Sequence, residues 1–237
     1  MDSVNLSAIM SNFCIIIPGY NEAGRIGNVV RSALAYCTDI VVIDDGSKDS
    51  TADEAKQAGA TVIVHEINKG KGTALNTGFQ YAKNKGYEFL ITMDADGQHD
   101  CADIPGFITA YKSGNYACIV GNRMANAQGM PLIRRLTNLF LSWLLSREMK
   151  QWVPDTQNGL RLFQCSVIPQ VSTGAARFAA ESEILLIMAD NGVKIGSAPV
   201  KVIYRDEKSK IHPIKDTVRF FRMLSEYKKR RRKEYHK

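Results

Sequence analysis

Asp94 and Asp96 stand one residue apart at the end of an apolar run, Phe89-Leu90-Ile91-Thr92-Met93, and Gly97 follows them. Strand-like hydrophobicity that stops abruptly at an acidic residue places both carboxylates where a buried strand emerges into a cleft. Open α/β sheets bind their ligands at that edge. Two residues apart on extended backbone, the side chains point the same way. Such a pair suits one hard divalent cation, with coordination positions left for phosphate oxygens. A bare Asp-x-Asp is equally a polar strand end and a turn, so the elements around it must decide.

Those elements alternate. Phe13-Cys14-Ile15-Ile16-Ile17 is a continuous apolar run followed by Pro18-Gly19-Tyr20-Asn21-Glu22, and Ile26, Val29, Val30, Ala33 and Leu34 then repeat at helical spacing. Ile40 to Ile43 reads as a second strand ending in Asp44-Asp45-Gly46-Ser47, with a helix through Ala58. Thr61 to Val64 reads as a third strand, and Asn68-Lys69-Gly70-Lys71-Gly72 opens a helix to about Asn84. Strands and helices at this spacing imply an α/β fold with a mainly parallel, doubly wound sheet flanked by helices. Its acidic and Gly-rich loops converge on one edge. The turn after the first strand lacks Gly-x-Gly-x-x-Gly, which disfavours a dinucleotide fold, and Gly70-Lys71-Gly72-Thr73 lacks the spacing of an NTPase phosphate loop.

At 237 residues with 45% hydrophobic and 23% charged, the chain suits one large domain with a sizeable core. No stretch approaches a membrane span, and Met1 to Asn12 does not read as a signal peptide. The cysteines at 14, 37, 101, 118 and 165 are scattered and odd in number, which argues for reduced thiols in the core and against zinc. Lys228 to Lys237 holds seven Lys or Arg against one Glu, and so carries +6 of the net +7. Basic residues spread over a folded face would suit nucleic acid; a terminal run suits an anionic membrane surface or plain solvent.

Four segments in order, Ile-Pro-Gly-Tyr-Asn-Glu (17 to 22), Asp-Asp-Gly-Ser-Lys-Asp-Ser-Thr (44 to 51), Asn-Lys-Gly-Lys-Gly (68 to 72) and Asp-Ala-Asp-Gly-Gln (94 to 98), resemble the successive motifs of the family-two glycosyltransferases with the GT-A fold. Gly19 stands where that family more often has Ala or Thr. The resemblance implies a single GT-A domain over 13–211, with 1–12 an N-terminal extension and 212–237 a C-terminal helix with a basic tail. It assigns Pro18, Tyr20, Glu22, Asp44 and Asp45 to the nucleoside of a nucleotide-sugar donor, with Lys71 and Ala95 beside it. Asp94, Asp96 and Gln98 would hold Mg²⁺ or Mn²⁺, with Asp96 also among the catalytic residues. Tyr20 reads equally as a packed aromatic, and Asp49 with Ser50 as a helix cap.

Further along, Ile104 to Tyr111 reads as a helix, Tyr116 to Val120 as a strand ending in Gly121-Asn122-Arg123, Ala180 to Asn191 as a helix and Lys194 to Tyr204 as a strand. From Pro131 to Leu145, Leu132, Leu136, Leu139, Phe140 and Trp143 share a helix face that Leu141 and Leu145 broaden. That face either packs on the sheet or lies in a membrane interface. With Asp155-Thr156-Gln157-Asn158-Gly159-Leu160-Arg161 and Tyr204-Arg205-Asp206-Glu207-Lys208-Ser209-Lys210, the likeness narrows to the polyprenyl-phosphate sugar synthases, the dolichyl-phosphate mannose synthase group. This implies an inverting, metal-dependent transfer from a GDP-mannose or UDP-glucose type of donor to polyprenyl phosphate, peripheral on the cytosolic membrane face, with or without a separate membrane-protein partner and with no nucleic acid. Arg123, Arg161, Arg205 and Lys210 would clamp phosphates. If the acceptor were a glycan or lipid hydroxyl, Asp155 would be the base; otherwise it orients Arg161 by an ion pair. A non-catalytic nucleotide-sugar or membrane-binding module is a remoter alternative. His99 reads as surface or as support behind the metal loop, and Glu181 and Glu183 as structural or loop-positioning, not catalytic.

Overall fold

A computed structural model of the chain describes residues 12–127, 129–168, 179–201 and 213–235. Its first half alternates strand and helix: β1 (Phe13–Gly19), α1 (Ile26–Leu34), β2 (Ile40–Asp44), α2 (Thr51–Gln57), β3 (Thr61–Val64), α3 (Lys71–Lys85) and β4 (Phe89–Thr92). The second half adds α4 (Ile104–Lys112), β5 (Cys118–Asn122), α5 (Leu132–Met149), β6 (Arg161–Gln164), α6 (Ala179–Asp190), β7 (Ile195–Pro199) and α7 (Pro213–Tyr235).

The seven strands form one sheet in the order β3-β2-β1-β4-β6-β5-β7. Every neighbouring pair is parallel except those made by β6, which runs antiparallel to both β4 and β5. Two reversals restore direction, so β5 runs the same way as β4. The carboxyl ends of β1, β2, β4 and β5 therefore open on one edge of the sheet. Helices cover both faces, which is why β1 is apolar without interruption. Phe13, Ile15 and Ile17 pack with Val30, Ala55 and Phe107 on one side, while Cys14 and Ile16 pack with Leu75, Phe79 and Leu185 on the other.

The strand expected over 116–120 forms two residues later; of the one expected from Lys194 to Tyr204, Ile195–Pro199 is a strand and 202–204 lie outside the described residues. All five cysteines are buried free thiols. Among the described residues no helix is long and apolar enough to cross a membrane.

Two surface elements differ from a simple reading of their composition. Helix α5 buries Asn138, Leu141, Ser142, Leu145, Ser146 and Met149, so the face seated on the protein is half polar. Leu132, Ile133, Leu136, Phe140 and Trp143 point outward, each about half exposed or more. The basic terminus is no loose tail either, because α7 continues through it to Tyr235. Lys228 pairs with Glu148, Arg230 with Glu183, and Arg231 with Asp190 at 3.4 Å, while the Tyr227 hydroxyl donates to Asp190 at 2.5 Å. Earlier on the same face of that helix, Phe220, Met223 and Leu224 are buried in the core.

Candidate active site

At the end of β2 the two neighbouring aspartates do different work. Asp44 is buried and its Oδ1 accepts the Ser47 N–H at 2.9 Å, which closes the turn after the strand. Asp45 reaches across to the loop before α3. Its Oδ1 meets His65 Nδ1 at 2.7 Å and the Lys69 N–H at 3.0 Å, and its Oδ2 accepts the Gly70 N–H at 2.7 Å. The loops approach so closely that a Cβ on Gly46, at φ +73°, would lie 2.6 Å from the Ile67 carbonyl carbon. Only glycine fits there. Asp45, which the resemblance assigned to the nucleoside, thus fixes the backbone that carries Lys71.

Lys71 opens α3 and points back to the end of β4. Its Nζ lies 2.5 Å from Asp94 Oδ1 and 3.0 Å from Glu181 Oε1, on the first turn of α6. The other Asp94 oxygen, Oδ2, meets His99 Nε2 at 3.2 Å. Behind Asp94 the backbone of Gly159 is so near that a Cβ there would stand 2.4 Å from Oδ2. The Thr92 hydroxyl, donating to the Gly159 carbonyl at 3.0 Å, holds that approach.

Burial by itself would raise the Asp94 carboxyl, but the Lys71 ammonium and the His99 hydrogen bond outweigh it and hold the group well below the usual carboxylate range. Burial likewise works against the Lys71 charge, and Asp94 and Glu181 together keep it above the ordinary lysine value. Asp96 moves the other way, raised by burial and by the Asp94 charge beside it. Two hard oxygen donors that repel each other fit a divalent metal such as Mg²⁺ or Mn²⁺. The pair is the candidate site on its own chemistry; among the described residues no group of three or more His, Cys, Asp or Glu has metal-holding geometry. Gln98 is tied to it through its backbone N–H, which donates to Asp96 Oδ1 at 3.0 Å.

The end of β5 supplies a second charged group. Arg123 Nε donates to Asp155 Oδ2 at 2.7 Å and Nη2 to Asp155 Oδ1 at 2.8 Å, and the Arg123 backbone N–H also donates to Oδ2 at 3.1 Å. Asp155 therefore partners Arg123, not Arg161 as the motif order suggested. Arg161 itself is 1% exposed, and its Nε, Nη1 and Nη2 donate to the carbonyls of Asn158, Glu181 and Thr156 at 2.7, 2.7 and 2.9 Å. Its expected role as a phosphate clamp gives way to a structural one: a fully enclosed guanidinium with three backbone partners cannot reach a ligand phosphate, and it instead locks the 156–158 loop to the start of α6.

Of the donor-site residues, Pro18 is half-buried next to the last residue of β1, Tyr20 is exposed just beyond the strand, and Ala95 is buried between the two metal-loop aspartates. Glu22 is buried, its backbone N–H donating to Thr51 Oγ1 at 2.8 Å and its Oε2 2.7 Å from Arg25 Nη2. Asp49 accepts from the Thr51 N–H and the Ala23 N–H, both at 3.1 Å, so it ties the two loops together, and Ser50, the residue before α2, makes no side-chain cap hydrogen bond. Arg205 and Lys210 lie outside the described residues. Sequence reasoning kept Glu181 out of the site; its one signal was an acidic residue on the first turn of an otherwise apolar helix, which serves a helix N-terminus equally well.

The chain is 36% identical over 215 residues to the UDP-N-acetylglucosamine–dolichyl-phosphate N-acetylglucosaminyltransferase of Methanococcus voltae, covering 81% of this chain and 86% of that one. It is 25% identical over 219 residues to the undecaprenyl-phosphate mannosyltransferase of Micrococcus luteus, covering 81% and 83% respectively. Among solved structures, glucosyl-3-phosphoglycerate synthase from Mycobacterium tuberculosis, in complex with Mn²⁺, UDP and phosphoglyceric acid, superposes with a TM-score of 0.71 at 17% identity over 94% of this chain and 81% of that one. That likeness shows the GT-A fold. The model of glycosyl transferase family 2 matches residues 14–172, and the chain belongs to that family.

Proposed function

We propose that this glycosyltransferase moves a sugar from a nucleoside-diphosphate donor to polyprenyl phosphate in one inverting displacement that requires Mg²⁺ or Mn²⁺. The observation that carries the acceptor class is the capture of Asp155, 1% exposed, with both carboxylate oxygens on Arg123. A hydroxyl acceptor needs a general base, and the carboxylate considered for that task is occupied. A phosphate monoester, with a second pKa of about 6, is already an anionic nucleophile at neutral pH. The relatives named as dolichyl- and undecaprenyl-phosphate sugar transferases support the same class.

In this reading the exposed Tyr20 ring stacks on the base, and Pro18, Glu22 and Asp44 shape the nucleoside pocket at the ends of β1 and β2. Asp94 and Asp96, with Gln98, would hold the divalent cation, whose Lewis acidity neutralises charge on the departing nucleoside diphosphate. Asp45 fixes the 69–70 backbone and thereby the position of Lys71. Arg205 and Lys210 are assigned to phosphate contacts by resemblance alone. The outward apolar face of α5 would rest in the membrane interface, on the side where a polyprenyl chain is found.

The test is transfer from radiolabelled UDP- and GDP-sugars into organic-extractable product, with polyprenyl phosphate, with and without Mn²⁺. Metal-dependent label in the lipid phase is expected, and one donor should dominate. Label that appears only in a hydroxyl acceptor would reject the phosphate acceptor, and equal transfer in excess chelator would reject the metal.

A further inference from the structure

Both oxygens of Asp94 have protein partners: Oδ1 the Lys71 ammonium at 2.5 Å, and Oδ2 His99 at 3.2 Å. A divalent cation arriving at Asp94 meets a fixed positive charge on one of the oxygens it needs. Lys71 is not held by Asp94 alone, however. Its Nζ is also 3.0 Å from Glu181 Oε1, a buried carboxylate on a different element. The Glu181 backbone is anchored in turn, its carbonyl accepting from Arg161 Nη1 at 2.7 Å. Lys71 can therefore leave Asp94 without becoming an unpartnered buried charge, which would be costly.

We infer that Lys71 is a placeholder for the metal on Asp94, the two being alternative partners of that carboxylate, and that Lys71 moves wholly onto Glu181 when the divalent cation binds. Glu181 is thus a positioning residue for metal loading, acting through Lys71 and not as a ligand. This rests on the reading of Asp94 and Asp96 as the metal site. Its consequence is that the lysine opposes the metal, so its removal strengthens binding of the cation, the reverse of what a lysine serving only to hold a phosphate would do.

The test is titration of the full chain with Mn²⁺ alone, without nucleotide, with free Mn²⁺ followed by electron paramagnetic resonance and the fold checked by thermal melts. Lys71→Met should bind Mn²⁺ on the order of tenfold more tightly than wild type, because a charge a few ångströms away is lost. Glu181→Gln should bind it more weakly, because Lys71 then has only Asp94. In the Lys71→Met background the Glu181→Gln effect should shrink to what the loss of one nearby negative charge causes, an epistasis that a merely structural glutamate would not show. Unchanged or weaker binding by folded Lys71→Met overturns the inference, as does an undiminished Glu181→Gln effect in the double variant. Should Lys71→Met fail to fold, Glu181→Gln decides: wild-type Mn²⁺ affinity there overturns the inference. Asp94→Asn separates the two readings. If its Mn²⁺ binding equals that of wild type and Lys71→Met, the metal site itself is wrong; if Asp94→Asn loses binding and Lys71→Met gains none, only the placeholder is wrong.

Discussion

The Arg123 guanidinium and the Asp155 carboxylate meet edge to edge, Nε to Oδ2 at 2.7 Å and Nη2 to Oδ1 at 2.8 Å, with both residues buried. A two-pronged pair of this kind fixes orientation as well as distance, and it joins the end of β5 to the loop that leads into β6. Breaking it from one side leaves a buried charge without its partner. Asp155→Asn is therefore expected to destabilise the protein by about 3–5 kcal/mol, read as a lower midpoint in urea. The folded fraction should keep the wild-type pH dependence of kcat/KM. Loss of the acidic limb of that profile would instead return Asp155 to the role of general base.

Asp94 is wedged between Lys71 and the backbone of Gly159, where a Cβ would stand 2.4 Å from its Oδ2 and 2.8 Å from its Oδ1. Gly159→Ala must push the carboxylate aside. A displacement of about an ångström in a reacting geometry costs on the order of a hundredfold in rate, and that loss in kcat/KM is expected with a melt that shows the fold intact. Asp94→Asn and Asp96→Asn remove the donors outright and should cost on the order of a thousandfold or more. Near-wild-type turnover in either Asn variant would remove the aspartates from the site.

How far the chain could be read without coordinates depended on range. The ends of β1, β2 and β4 were legible because continuous apolar runs stop at acidic or Gly-rich residues, a local pattern with a local cause. β6 was hidden, since four residues, Arg161–Gln164, carry too little pattern to announce a strand that reverses the direction of the sheet. Partners were hidden as well. Spacing places Lys71 before a helix and Glu181 on another, yet nothing local says that the two meet, and motif order pointed Asp155 at Arg161 when the fold gives it Arg123. The basic terminus misled for a related reason: a charge count records Lys228, Arg230 and Arg231 but not the acidic residues that face them from α5 and α6.

The five thiols are expected to be silent in the native protein. Burial pushes Cys37, Cys101 and Cys165 up to about 11 and Cys118 up to about 12, from an ordinary value of 9.0. Thiolate is the reactive form, so a thiol reagent at pH 8 should label none of them until denaturant is added. The sign of the linkage follows. Between about pH 9 and 11 the unfolded chain gives up thiol protons that the native state keeps, so ΔG of unfolding should fall as pH rises through that window. Rapid labelling of the folded protein at pH 8 would contradict this burial.

Helix α5 and helix α7 make opposite predictions for a membrane surface. α5 turns Leu132, Ile133, Leu136, Phe140 and Trp143 outward while its other face is seated on the protein, so its apolar side chains are free to enter an interface. On α7, Lys228, Arg230 and Arg231 are paired with Glu148, Glu183 and Asp190, which leaves less of the +6 terminus to meet anionic lipid than its composition suggests. Burying a large apolar side chain contributes about 2 kcal/mol. Replacing Phe140 and Trp143 together by Ser should therefore weaken sedimentation with lipid vesicles at least about tenfold, with little change in melting temperature because both are half exposed already. Replacing the exposed Lys229, Arg232 and Lys233 by Gln should have a smaller effect, one that grows with the anionic lipid fraction and fades with salt. If the basic variant lost vesicle binding and the apolar variant kept it, the membrane contact would belong to α7, and the outward face of α5 would need a different partner.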